Sequence, residues 1–375
     1  MHLGKFHAVI NALNVEYSED GISGKINSVI QQLDSLANNP GNVSVADSFK
    51  QHFENLRQQL AASTFNKPYP TLAALLGSIN AEKYVGDKLF LRIEALIVEN
   101  GMTPQLAATA LRNLFADVTE FYQQIDTIDT GFTKLKVEFQ ELKAGEGEIG
   151  ISIPEPEGDR LLVTLAKTAK EWDIALRPFV ELADPEHNAI VVRTISSSDW
   201  QFYLAAAPGV YLALSTAVSR LNELLQKLVV TRNLISQLTG SGLSPAVIAA
   251  AATEADGFLD AETRSLAEKI VDEHAPADTG RANELKTAVT TSLKFIARQM
   301  AKSVTIEVRY VPPEMPKSSD QNDSETKDQA AKRIGELTEV AAQIARNMEL
   351  VKLDATAKEI LNLTGPEEDM EETNV

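Results

Sequence analysis

Apolar residues recur at helical spacing through the first 134 positions. Ile26, Val29, Ile30 and Leu33 mark one face of a helix over 22–36, which stops at Asn38-Asn39-Pro40-Gly41. Ser44 is placed to cap a second helix carrying Phe49, Phe53, Leu56 and Leu60. Thr103-Pro104 gives the sharpest helix start, because proline fits the first turn, where its missing N–H costs nothing. Leu106, Leu111, Leu114, Phe115, Val118, Phe121, Tyr122 and Ile125 then lie near one broad face. No repeat of solenoid length is present.

The period then changes to two. Leu135, Val137 and Phe139 alternate with Lys136 and Glu138; after a glycine-containing turn, Ile149, Ile151 and Ile153 alternate again. That pattern predicts a β-hairpin ended by Pro154 and Pro156. A helix is expected over 159–182. A second hairpin follows, from 188–195 through Ser196-Ser197-Ser198-Asp199 into 200–204. Pro208 opens a long helix to about 238, two or three helices fill 244–303, and Val304, Ile306, Val308 and Tyr310 mark a last strand.

Strands do not alternate regularly with crossover helices, so a doubly wound sheet is not expected. The predicted class is α+β and predominantly helical, with a small, mostly antiparallel sheet of about five strands covered by helices. The expected divisions are a helical N-terminal region over 1–134 and an α+β core over 135–311. A disordered polar linker over 312–328, a C-terminal helix over 329–364 and an acidic tail over 365–375 complete the chain. The linker has five acidic residues against two lysines and little to bury.

The strongest regularity lies in the C-terminal helix. Ile334, Leu337, Ala341, Ile344, Met348, Val351 and Ala355 follow 3-4-3-4 spacing, which is the seam of a coiled coil or of a helix docked in a groove. Val340, Leu350 and Leu353 widen the stripe, which suits docking on a protein body. The linker would let the helix dock on its own subunit, a neighbouring subunit or another partner.

Charge and composition narrow the chemistry. With 35 Lys+Arg against 53 Asp+Glu the formal charge is −18, so no nucleic-acid partner is expected. The absence of cysteine excludes thiolate metal sites and cysteine nucleophiles. Gly145-Glu146-Gly147-Glu148-Ile149-Gly150 matches G-x-G-x-x-G, but a strand follows where a nucleotide site needs a helix, and its glutamates would repel phosphate. Gly21-Ile22-Ser23-Gly24-Lys25 has glycines too close for a P-loop. The five histidines form no metal motif, and Asp256–Asp260 lacks the end ligands of a calcium loop. No cofactor and no metal is expected. The uncharged stretch 200–219 is long enough to span a bilayer, but its proline and polar residues favour a buried core segment.

Three functional expectations remain. The leading one is a non-enzymatic cytoplasmic interaction or assembly protein, homo-oligomeric, with a tethered C-terminal docking helix and a protein partner or a second copy as its target. The second is a ligand-sensing or enzymatic domain that grips an anionic small molecule on the sheet face through Arg193, Asp199, Glu307 and Arg309. The third is a membrane-active helical effector using 200–218.

Overall fold

The computed structural model describes residues 3–18, 21–101, 103–154, 162–183, 190–196, 200–239, 245–274, 279–314, 324–349 and 361. The chain divides into two compact units, Met1–Glu141 and Leu142–Val375. The fold is α+β and predominantly helical, with one small antiparallel sheet.

The first unit is helical: α1 (Leu3–Tyr17), α2 (Ile22–Asn38), α3 (Val43–Ala61), α4 (Pro70–Ser78), α5 (Gly86–Glu99) and α6 (Pro104–Lys134). Helix α6 packs on α1, α2 and α5. Most of its predicted face is buried, with Leu111, Leu114, Val118, Tyr122 and Ile125 in a core shared with Ile26, Val29, Ile30 and Leu33 and with Phe115 and Phe121 at its margin, whereas Leu106, in the first turn, is exposed. Each such fully buried aliphatic contributes about 1.5–3 kcal/mol. Asn42 rather than Ser44 caps α3, its side chain accepting from the Ser44 N–H.

Two helix ends meet at Asn66. Val85 precedes α5 and has no polar side chain to cap it. Asn66 Oδ1 fills that role, accepting from Asp87 N–H at 2.6 Å, while Asn66 Nδ2 donates to the Leu60 and Ala61 carbonyls at the end of α3. Gly86 is obligatory here: its φ is +49°, and a Cβ would lie 1.9 Å from Asn66 Oδ1.

The predicted strand over Leu135–Phe139 does not form. Helix α6 runs on to Lys134, Lys136 takes a left-handed φ of 56°, and Gln140 N–H donates to the Gly4 carbonyl of α1. His7 Nδ1 meets the Val137 carbonyl at 2.7 Å. The Leu135, Lys136 and Val137 N–H groups donate back to the Gly131, Thr133 and Phe132 carbonyls of α6, so the segment spends its backbone bonds on α6 and α1, and the alternation of Leu135, Val137 and Phe139 marks no sheet face, since Leu135 and Phe139 are exposed.

In the second unit the described residues form four strands, not five: β1 (Gly147–Ile153), β2 (Val191–Ser196), β3 (Trp200–Ala205) and β4 (Thr305–Tyr310), in the order β2-β3-β1-β4. Helices α7 (Leu162–Ala183), α8 (Pro208–Thr239), α9 (Pro245–His274), α10 (Thr279–Ala301) and α11 (Ser324–Glu349) complete the unit. Helix α11 starts inside the stretch expected to be linker. Trp172 and residues of the uncharged 200–218 stretch, among them Phe202, Leu204, Val210, Leu214 and Val218, are buried in one core with Ile149, Ile151, Ile306 and Val308. Among the described residues no helix is long and apolar enough to cross a membrane.

Strand β1 begins where Gly147 lies against the Tyr211 ring of α8; a Cβ there would meet Tyr211 Cε2 at 2.1 Å. The Tyr211 hydroxyl accepts from Ala206 N–H at 2.8 Å and cannot simply turn away. Gly147→Ala is expected to cost about 1–3 kcal/mol in chemical denaturation, the range for overpacking a core. In the first unit, burial pushes the Glu16 carboxyl up, against weaker hydrogen bonds from Ser63 and Thr64 that pull it down. A raised carboxylate pKa means the folded state holds the proton more tightly, so the contribution of Glu16 to stability is complete below the ordinary carboxylate range and is lost as pH rises through the raised value. Glu16→Gln should therefore raise the thermal midpoint near neutral pH and flatten its pH dependence relative to the unchanged chain.

Candidate functional site

The charged residues predicted on the sheet are placed by strand register. Glu148 stands opposite Arg309 and Gly150 opposite Glu307. Gly150 also pairs with Tyr203, and Ser152 with Gln201. Period-two alternation therefore gathers Glu148, Ser152, Gln201, Tyr203, Glu307 and Arg309 on one face and sends the isoleucines of β1 to the other. The Tyr203 ring and the Glu307 Cβ flank Gly150, at ordinary contact distance from where a Cβ would stand.

Arg309 lies between two acids. Its Nη2 donates to Glu148 Oε1 at 2.8 Å, and its Nε is 2.9 Å from Glu307 Oε1. Glu148 and Glu307 are only 3% and 2% exposed. Carboxylates this deeply buried need a charged partner, because leaving water unpaired costs several kcal/mol per ion.

Arg193 is the extra residue of a bulge in β2, between Val192 opposite Leu204 and Thr194 opposite Tyr203. Its Nη1 donates to Glu146 Oε2 at 3.2 Å. The same carboxylate accepts the Lys143 N–H at 3.1 Å. That backbone bond, then the Arg193 guanidinium, hold the Glu146 carboxyl below the usual carboxylate range. Asp199 lies outside the described residues. Of the predicted set, the structure brings Glu307 and Arg309 together and ties Arg193 to a separate acid. Glu146 and Glu148 were missed by sequence reasoning. The available signal was parity: Glu148 occupies the polar alternate of the Ile149, Ile151, Ile153 run.

This face is internally paired. An incoming anion would compete with carboxylates already in contact with Arg193 and Arg309. Among the described residues no group of three or more His, Asp or Glu side chains is arranged to hold a metal ion. An open groove of about 1220 Å³ runs between α8 and α9, with Val230, Leu234 and Phe258 on its walls.

The predicted docking seam lies on α11, which packs against α8 and β4. Ile344 is fully buried, and Leu337, Ala341, Met348 and Val340 pack at the core margin. Ile334 is half-buried, and Val351 lies outside the described residues. Two polar contacts fix the position. Asn347 Nδ2 donates to Ser215 Oγ at 3.0 Å and Thr216 Oγ1 at 3.2 Å on α8. Met348 Sδ accepts the Val308 N–H of β4 at 3.3 Å. Spacing identified the stripe; it gave no sign of Asn347, which lies between the apolar seam positions.

No family model, no curated protein sequence and no solved structure is significantly similar to this chain.

Replacing Arg309 by Leu leaves Glu148 and Glu307 buried without their guanidinium. Urea denaturation should show a loss of about 3–5 kcal/mol. A loss under about 1 kcal/mol, the worth of an exposed pair, would mean that other groups carry both acids.

Proposed function

We propose that this chain is a non-enzymatic cytoplasmic interaction protein that self-associates, with α11 as its exchangeable docking element. The carrying observation is the way α11 is held. Ile344 is the one fully buried aliphatic on its described stretch, and the nearby anchor is an amide, Asn347, reaching two hydroxyls of α8. A buried amide in an apolar seam adds little net affinity but penalises every register in which it goes unpaired. Such a contact selects one seat without binding it tightly. The helix could leave that seat for the equivalent seat on another copy at small net cost, since the same bonds are remade there.

What α11 covers supports the same reading. Strand β4 is an outer strand of the sheet, and its Val308 N–H is met by a thioether, a weak acceptor. With α11 displaced, that edge becomes a template for another strand. Helix α11 thus acts both as the docking element and as the guard of an association surface.

The test compares the full chain with one ending at residue 323 and with full-length Asn347→Asp, each by light scattering. The shortened chain should not keep the mass of the full chain, because the exchanged helix that joins copies is gone and the β4 edge is bared. Asn347→Asp removes the amide donor and should shift the mass the same way, to a smaller degree. Identical masses for all three would sink the reading.

A further inference from the structure

The two outer strands of the sheet are treated unequally. Strand β4 is met by α11, whereas no strand among the described residues lies beyond β2. Val191, Val192 and Ile195 of β2 are 57%, 53% and 49% exposed. The bulge at Arg193 makes this exposure directional. Val192 pairs with Leu204 and Ile195 with Phe202, so residues three apart stand on the same face, the apolar one. Without the extra residue one of them would turn to the charged face. Leu204 and Phe202 are buried in the core. The apolar face therefore runs to the sheet margin and stops at two β-branched side chains half in water.

Outer strands are ordinarily blunted by lysine, proline or a projecting charge. Residues 190–196 contain no acid, lysine or proline. Their one charge, Arg193, sits at the bulge and is neutralised at the surface by Glu146. On a chain of formal charge −18, two copies repel wherever acidic surfaces meet. Strand β2 offers an approach with no acidic residue in it.

We infer that β2 pairs with β2 of a second copy, antiparallel about a two-fold axis, so that the two four-stranded sheets become continuous. An axis between Arg193 and Thr194 places Val192 opposite Ile195 of the other copy, and Ile195 opposite its Val192. Val192 and Ile195 thus meet on the same face, each arginine lies opposite a threonine, and Val191 lies opposite Ser196. That self-complementarity, with the lack of acidic residues, selects a second copy as the occupant. The inference rests on the self-association proposed above and assigns it a surface separate from α11.

The chain has no cysteine, so single introduced thiols report register. Directly opposite residues of an antiparallel pair have Cα atoms about 4.5–5.5 Å apart, within disulfide reach. In this register the two copies of residue 192 lie about 10 Å apart, out of reach. Full-length Val192→Cys and Ile195→Cys, coexpressed and oxidised, should give a covalent species of twice 40.8 kDa on a non-reducing gel. Each variant alone should stay near 40.8 kDa. In parallel, full-length V192K/I195K should halve the mass seen by light scattering while the far-UV circular dichroism stays unchanged, since both positions are half exposed. A monomeric unsubstituted chain, an unchanged mass in V192K/I195K, or equal cross-linking by the single variants would each overturn β2 pairing. An assembly that resists the lysines but changes when α11 is removed would overturn this inference and leave the α11 proposal standing; the reverse pattern would do the opposite.

Discussion

Strand β1 is hydrogen-bonded on both sides, and the second unit depends on that. Its neighbour β3 comes after α7 and β2, while β4 arrives only after α8, α9 and α10. The apolar face of β1 cannot be closed by local structure alone. It requires Ile306 and Val308 from the far end of the unit and the Tyr211 ring pressed against Gly147. Bringing them together costs loop-closure entropy before any packing is gained. Once β4 is in place, the same register that buries Ile149 and Ile151 lays Glu148 against Arg309. Core closure and ion-pair formation are therefore one event on two faces of one strand.

Much of the architecture was legible in the sequence because helical periodicity is a local signal. The faces read from Ile26, Leu33, Leu111 and Val118 are the faces that are buried. Alternation was less reliable. Leu135, Val137 and Phe139 carry the pattern of a strand, but strand formation needs a partner, and those backbone groups found the end of α6 and α1 instead. The charged face was partly legible: Glu307 and Arg309 share parity on one strand. Their third member, Glu148, depends on a pairing register across distant sequence. The bulge at Arg193 was not legible at all, and it reverses which residues of β2 face outward. For α11, spacing identified the apolar stripe, but the amide that selects its seat interrupts no pattern.

Stability and association draw on different parts of the second unit. The deep core around Phe179, Leu221 and Ile296 is built of fully buried apolar side chains. The margins are where weaker bonds are made: a thioether for a backbone N–H at β4, half-wet aliphatics at β2. Such contacts add little to folding and are readily exchanged for better ones, which is why association is proposed there rather than on the paired charges of the sheet face.

Asn66 illustrates a different economy. One amide serves as acceptor for the start of α5 and as donor for the end of α3. Slow hydrolysis of that side chain to aspartate would exchange an NH₂ for a negatively charged oxygen. The new carboxylate would suit the electropositive start of α5 but face the Leu60 and Ala61 carbonyls with nothing to give them. A chemical ageing reaction at this one position would thus be felt at two helix termini, with opposite sign at each.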